Sequence, residues 1–235
     1  ARSAAMAFNR YIDRDIDSTN PRTAAIREIP NGSIKANSVL LFVIINSLLF
    51  IATTYFINSL CFALSPIALI TILGYSYTKR FTALCHLVLG LGLSLAPIGA
   101  YLAVSGEFNI IPLLFSAAVL FWVSGFDIIY SLQDEEFDKA QELHSIPVLI
   151  GKKNALMLSN LLHFLTFSAL SIAGLLGEFG LYYWIGFWIF SALLVYQHTL
   201  VKHNDLSKVN LAFFTTNGIA SIIFGTFVIA DILLK

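Results

Sequence analysis

Asn9, Asp13 and Asp17 stand four residues apart, and Tyr130, Asp134 and Asp138 repeat that spacing. Four residues advance a helix by about 400° and roughly 6 Å, so each triplet makes one narrow polar stripe that points one way. Every member of the second triplet lies 121 positions after its counterpart in the first, which agrees with a parallel internal repeat. Carboxylates on two facing stripes repel one another unless cations stand between them. The hard ion Mg²⁺ is satisfied by one or two carboxylates together with phosphate oxygens and water, so two such stripes suit a clamp for a diphosphate. Asp15, Glu135, Glu136 and Glu142 lie off the stripes and read as solvated helix-end charge.

The elements that must position these stripes are apolar. Of 235 residues, 57% are hydrophobic and 14% aromatic, and only 12% are charged, against about 25% in a soluble domain. With a mean hydropathy of +0.79 the solvent of this chain is a lipid bilayer. Lys and Arg number 14 and so do Asp and Glu, which removes the electrostatic basis for a nucleic-acid partner. Cys61 and Cys85 sit in apolar stretches without metal-ligand spacing and read as small hydrophobes.

The fold class predicted is all-α: a polytopic transmembrane helical bundle of seven complete spans, near 39 to 57, 60 to 77, 83 to 104, 110 to 131, 154 to 177, 181 to 201 and 209 to 234, forming one domain over 1 to 235. A partial helix, Ala1 to Asp17, precedes them and reads as the inner half of a further span whose outer half lies upstream. Alternating directions put 18 to 38, 78 to 82, 132 to 153 and 202 to 208 on one side. Those segments carry Arg22, Arg27, Lys35, Lys79, Arg80, Lys139, Lys152, Lys153, Lys202 and Lys208, whereas the opposite connections have no Lys or Arg and only the terminal Lys235 falls there. The excess of positive charge makes the long loops, and both stripes, cytoplasmic.

Arg2 lies seven residues before Asn9, nearly two turns deeper on the same face, where a charge is costly unless it meets a partner or a cavity. It is therefore a candidate contact for a substrate carboxylate or diphosphate. His163, near the middle of a span, reads as a packing residue bonded to a neighbouring helix; His86 is placed to line a pocket; His144, His198 and His203 fall near the membrane boundary, where solvent satisfies them.

Asn9-Arg-Tyr-Ile-Asp13-Arg-Asp-Ile-Asp17 followed by Asn20-Pro-Arg22-Thr, Tyr75-Ser-Tyr77-Thr-Lys79-Arg80-Phe-Thr82, and Asp127-Ile-Ile-Tyr130-Ser-Leu-Gln-Asp134-Glu-Glu-Phe-Asp138 followed by His144-Ser-Ile-Pro147 together resemble the UbiA family of intramembrane aromatic prenyltransferases. The resemblance spans essentially the whole chain. It implies nine helices, of which the first and the outer part of the second are absent here. It implies transfer of a polyprenyl group from a prenyl diphosphate to a ring carbon of an aromatic acceptor, of 4-hydroxybenzoate or hydroxynaphthoate type, in quinone (ubiquinone or menaquinone) biosynthesis at a bacterial inner membrane. Asp13, Asp17, Asp134 and Asp138, with Asn9 as a neutral oxygen donor, would hold Mg²⁺; Tyr130 would hydrogen-bond the leaving oxygen; Arg22, Lys79 and Arg80 would reach phosphate oxygens.

Two other readings share some of these features. A transporter also combines repeats with buried acids, although its sites tend to lie at the midplane. A Mg²⁺-dependent lipid phosphotransferase would use acidic ligands as well, with a phospho-alcohol in place of an aromatic acceptor.

Overall fold

Long apolar runs between polar hinges become helices because a bilayer offers no water to an unpaired backbone group. The structure, a computed structural model, describes residues 1–234. Its helices are α1 (Arg2–Ile12), α2 (Arg14–Thr19), α3 (Ala36–Ile57), α4 (Ser59–Thr78), α5 (Cys85–Ser105), α6 (Ile110–Ser131), α7 (Glu135–Ala140), α8 (Ile146–Leu176), α9 (Leu181–Leu200) and α10 (Asn217–Leu234). A 3₁₀ turn, Leu132–Asp134, joins α6 to α7, and a π-helical segment, Leu211–Thr216, leads into α10. Lys235, assigned by sequence to the side opposite the long loops, lies outside the described residues.

Six helical segments are long and apolar enough to cross a membrane: α3, α4, α5, α6 with its continuation to Ala140, α8, and the π segment with α10. The seventh predicted span, α9, has the length at 20 residues, but Tyr182, Tyr183, Trp184, Trp188, Tyr196, Gln197 and His198 make it less apolar. It packs along α10 and against α8 as a member of the bundle. The apolar pattern predicts the fifth span over 154 to 177 with a loop from 132 to 153. In the structure α8 already begins at Ile146, with Pro147 in its first turn, and α7 occupies part of the loop. Gly151, at φ 76° and ψ 159°, sets that first turn at an angle to the rest of α8, a conformation open in practice only to glycine.

The order of contacts shows why α6 is central. It packs against α5 on one side and α8 on the other, while α1 packs on α3 and α4. Ser124 on α6 donates to the His86 carbonyl of α5 at 3.2 Å, and Ser159 on α8 donates to the Gly125 carbonyl at 2.7 Å. A Cβ at Gly125 would stand 2.4 Å from the His163 ring, so only glycine lets α8 approach this closely. His163 is buried there. Its Nε2 lies 3.3 Å from the Trp122 carbonyl, which can only accept, so that nitrogen carries the proton and Nδ1 accepts from His198 Nε2 at 2.8 Å. His198 is thus satisfied by a neighbouring helix and not by solvent, contrary to the expectation from its place near a span end.

At the end of the bundle away from the stripes, α10 caps α9. Asp231, buried, accepts the Gly180 and Tyr183 amides at 2.7 and 3.2 Å, two donors at a helix N-terminus that have no partner within their own helix. Truncating it leaves both unpaired. Asp231→Ala should lower the thermal unfolding midpoint of the detergent-solubilised protein by a cost on the order of 1–3 kcal/mol, and Asp231→Asn, which keeps one acceptor, should lose less. An unchanged midpoint for Asp231→Ala would show that α9 does not depend on this cap.

Candidate active site

Helical stepping brings each polar triplet onto one face, but neither runs along an uninterrupted helix. Asp13 ends α1 at φ −88° and ψ 6°, and Asp134 ends the 3₁₀ turn at φ −99° and ψ 1°. The same bridge-region backbone recurs at the middle acid of both motifs, a conformation often found at active-site residues. Hydrogen bonds still carry the first stripe across the break: the Asp13 amide donates to the Asn9 carbonyl at 2.9 Å and the Asp17 amide to the Asp13 carbonyl at 2.7 Å. Asn9 Nδ2 also donates to Asp13 Oδ2 at 2.8 Å. Sequence periodicity predicts continuous α-helix here because a single-residue break leaves the spacing intact.

Each carboxylate is matched by a cation from a different element. Arg22, in the loop after the first motif, crosses to the second: its Nε donates to Asp134 Oδ1 at 3.1 Å, its Nη2 to Asp134 Oδ2, and its Nη1 to the Tyr130 hydroxyl at 2.7 Å. Lys79, just past α4, places Nζ 2.7 Å from Asp138 Oδ1. Arg80 Nη2 donates to the Ile12 carbonyl at 2.7 Å and stands 3.4 Å from Asp13 Oδ1. Arg27 Nε lies 3.8 Å from Asp17 Oδ2. Sequence reasoning had no assignment for Arg27, nor for Asn20, whose Oδ1 accepts the Arg22 amide at 2.9 Å and whose Nδ2 lies 3.5 Å from Asp134 Oδ1. The Asn-Pro-Arg run held that signal, since an Asn before Pro favours a turn that would aim Arg22.

Burial and charge oppose one another at this end. Burial pushes the Asp13 carboxyl up to about 6 against the pull of Arg80, and it raises Asp17 too. Burial alone would lower the Lys79 ammonium, but Asp138 holds it above its ordinary value. Asp138 is fully buried, and neither of its oxygens accepts a hydrogen bond of good geometry. Its pairing with Lys79 leaves capacity for a further cation. The set of Asp and Asn oxygens has the hard-donor chemistry that Mg²⁺ requires. Among the described residues no three acidic, His or Cys side chains converge closely enough to hold one ion, so an ion here would take the rest of its shell from phosphate and water.

Directly beneath the stripes, toward the membrane interior, lies a cavity of about 990 Å³. Arg2 and Met6 of α1, Tyr75 of α4, Phe126 of α6, and Asn217 and Ser221 of α10 are among its walls, so both halves of the chain enclose it. Arg2 has no ion-pair partner among the described residues. Tyr130 carries Phe213 of the π segment stacked at 4.1 Å and the Arg22 guanidinium at 4.9 Å from its ring centre. His86 does not line this cavity; it is buried between α5 and α6 with Nδ1 2.6 Å from Asp127 Oδ2.

An intramembrane helical fold with two acidic motifs bracketing an apolar chamber is the architecture of a membrane prenyltransferase. Residues 1–219 match the model of the UbiA prenyltransferase family, and the chain belongs to that family. It is 30% identical over 229 residues to the 4-hydroxybenzoate octaprenyltransferase of Tolumonas auensis and 31% identical over 228 residues to that of Aeromonas hydrophila, in each case spanning 97% of this chain and 79% of the relative. Among solved structures, the apo form of a UbiA homolog from Aeropyrum pernix superposes with a TM-score of 0.89 at 31% identity, covering 98% of this chain and 85% of that one. A UbiA homolog from Archaeoglobus fulgidus bound to DMAPP and Mg²⁺ shares the fold, with a TM-score of 0.69 at 22% identity over 99% of this chain and 83% of that one.

If the Lys79–Asp138 pair is a structural counterbalance, its two members are coupled. Lys79→Met should lower the unfolding midpoint more than Lys79→Met combined with Asp138→Asn, because the double variant leaves no buried charge unpaired. Equal midpoints for the two would show that an unpaired Asp138 carboxylate costs nothing and that the two members are not coupled.

Proposed function

We propose that this enzyme transfers a polyprenyl group from its diphosphate to a ring carbon of a carboxylated aromatic acceptor of the 4-hydroxybenzoate or hydroxynaphthoate type. The observation that carries this reading is the stacking of two zones: four counterbalanced carboxylates at one end, and beneath them an apolar cavity with an unpaired Arg2 in its wall. The names of the relatives support the acceptor class, and the place of the product is quinone biosynthesis. The excess of Lys and Arg in the loops around the acids supports a site open to the cytoplasm, in an inner membrane of bacterial type.

Asp13, Asp17, Asp134 and Asp138, with the neutral oxygen of Asn9, would hold Mg²⁺. When bound, the metal neutralises the charge that develops on the leaving diphosphate. Arg22, Lys79 and Arg80 now balance the carboxylates, and an entering diphosphate offers them a second set of oxygens within reach of small side-chain movements. The Tyr130 hydroxyl already accepts from Arg22, so its own proton is free to be donated to the departing oxygen. Tyr75, Trp122 and Phe126 line the chamber where an allylic cation would form, and their ring faces stabilise positive charge that water would otherwise quench.

The test is turnover of radiolabelled prenyl diphosphate by the membrane-embedded protein with 4-hydroxybenzoate, dihydroxynaphthoate or diacylglycerol. Prenylated aromatic product should form only with Mg²⁺ or Mn²⁺ and be lost in Asp13→Ala and Asp134→Ala. Product on diacylglycerol alone would indicate a lipid phosphotransferase, and full turnover in chelator would refute the clamp.

Arg2 supplies a second check. A charge-assisted hydrogen bond contributes about 1.5 to 3 kcal/mol, so Arg2→Ala should raise KM for a carboxylated acceptor roughly tenfold to a hundredfold while leaving that for prenyl diphosphate nearly unchanged. Lysine should recover only part, since it keeps the charge and loses the paired geometry. Unaltered kinetics for both substrates would remove Arg2 from the site.

A further inference from the structure

Tyr130 stands next to the last residue of α6, where the backbone is about to leave the α-helix for the 3₁₀ turn at Leu132–Asp134. Its side chain turns about two bonds before the ring. The hydrogen bond that its hydroxyl accepts from Arg22 Nη1, at 2.7 Å, fixes the oxygen without fixing the plane of the ring. On the reading above, the same guanidinium turns to phosphate oxygens when a diphosphate enters. A hydroxyl that must keep its aim through that exchange needs a support that does not depend on charge.

That support comes from the π-helical segment Leu211–Thr216. Phe213 lies stacked on Tyr130, with ring centres 4.1 Å apart and planes inclined by 28°, and Phe214 meets the same ring edge-on at 5.9 Å. Phe213 is also edge-on to Phe126, four residues before Tyr130, at 5.3 Å, so its ring is braced against two turns of α6. Among the described residues it is not part of the chamber wall. π turns, whose bonds close over five residues instead of four, are rare, and this one is pinned by side chains. Three successive carbonyls receive donors: Leu211 accepts from Thr216 Oγ1 at 3.2 Å, Ala212 from Gln197 Nε2 of α9 at 3.1 Å, and Phe213 from Asn217 Nδ2 at 2.9 Å. Asn217 is held in turn by Trp122 of α6, whose Nε1 donates to its Oδ1 at 3.1 Å. Gln197, Ala212, Thr216 and Asn217 are all buried, so α6, α9 and α10 converge on the turn that carries Phe213.

We propose that Phe213 is a positioning residue for Tyr130, whose ring plane it fixes so that the hydroxyl stays aimed at the leaving oxygen when Arg22 turns to the diphosphate. This assignment rests on the prenyl-transfer reading above, in which Tyr130 donates to that oxygen. In the step it serves, the C–O bond of the prenyl diphosphate breaks, its electron pair leaves on the diphosphate, and the Tyr130 hydrogen bond strengthens as the charge develops. Phe213 forms and breaks no bond. A stacked ring suits the task because its attraction to Tyr130 persists whatever charge enters beside it.

The test is a cycle of four proteins in membranes, with Mg²⁺, radiolabelled prenyl diphosphate and 4-hydroxybenzoate: wild type, Phe213→Leu, Tyr130→Phe, and the two combined. Leucine fills most of the space and offers no ring face. Phe213→Leu should lower kcat about threefold to tenfold, the change that corresponds to one lost aromatic pair, with both KM values within about twofold of wild type. In Tyr130→Phe no hydroxyl remains to be aimed and kcat should already be down by about a hundredfold or more, so adding Phe213→Leu should change it by less than about twofold. Phe213→Tyr, which restores the ring face, should return most of the wild-type turnover. An equal fall in both backgrounds would overturn the proposal, since Phe213 would then act on packing or through Arg22. An unchanged kcat for Phe213→Leu would overturn it as well. If Phe213→Leu unfolds below the assay temperature, Phe213→Met poses the same comparison and is read by the same outcomes. Full turnover in Tyr130→Phe would instead refute the role of that hydroxyl, and a wild-type protein that prenylates no aromatic acceptor would refute the reading beneath it; either result removes the task assigned to Phe213.

Discussion

Four carboxylates gathered at one end of an apolar bundle would drive its two halves apart if nothing stood between them. The structure meets this constraint with cations that cross elements. Arg22 leaves the first motif to reach Asp134 and Tyr130 of the second, Lys79 leaves the end of α4 to reach Asp138, and Arg80 returns from the same loop to Asp13. These pairs tie α1, α4 and α6 together where short loops alone would not. The partly exposed pairs at Asp134 and Asp13 contribute little to stability singly, and their value here lies in register: with the buried Lys79–Asp138 pair they aim both sets of carboxylates at one space.

On the proposed reading, the same pairing readies these carboxylates for a diphosphate entering with a divalent cation. Burial lifts Asp13 and Asp17 while basic neighbours pull them down, so the carboxylates are held in a balance that a divalent ion and a diphosphate shift together. Asp13, Asp17, Asp134 and Asp138 would hold the cation, and the released guanidinium and ammonium groups of Arg22, Lys79 and Arg80 would reach the phosphate oxygens. Positive and negative charge would thus enter the site together, which matters where the bulk of the bundle is hydrocarbon.

Much of this arrangement was legible in the amino-acid sequence because helical periodicity acts at a distance of four residues and bilayers demand runs of about twenty. The stripes at Asn9, Asp13, Asp17 and at Tyr130, Asp134, Asp138 follow from the first rule, and the boundaries of α3 to α6 from the second. What escaped depends on contacts between distant segments. The breaks at Asp13 and Asp134 alter no spacing. Arg27 and Asn20 acquire their roles only when the loop folds back, and His198 is satisfied by His163, 35 positions away. Only the fold brings Asp231 against the start of α9. The tyrosines and tryptophans of α9 lower its apolar character without shortening it, so length and hydropathy give different answers for that helix alone among the long ones.

Departures from the repeat then become informative. The two halves share acidic motifs at a constant offset, which suits a symmetric grip on a diphosphate, but the chemistry beyond the grip is not symmetric: one partner is an electrophile and the other a ring. Asymmetry should therefore appear below the motifs, and it does. Arg2 stands in the cavity wall of the first half, and its counterpart 121 positions on is Val123, an apolar wall residue; Met6 in the first half corresponds to Asp127 in the second. The first half thus brings a cation into the chamber wall where the second has an apolar side chain, and the carboxylate of the second, Asp127, lies outside that wall against His86 of α5. A duplicated bundle that keeps its polar stripes alike and lets these deeper positions diverge holds one grip in common while presenting a cation to only one side of the chamber.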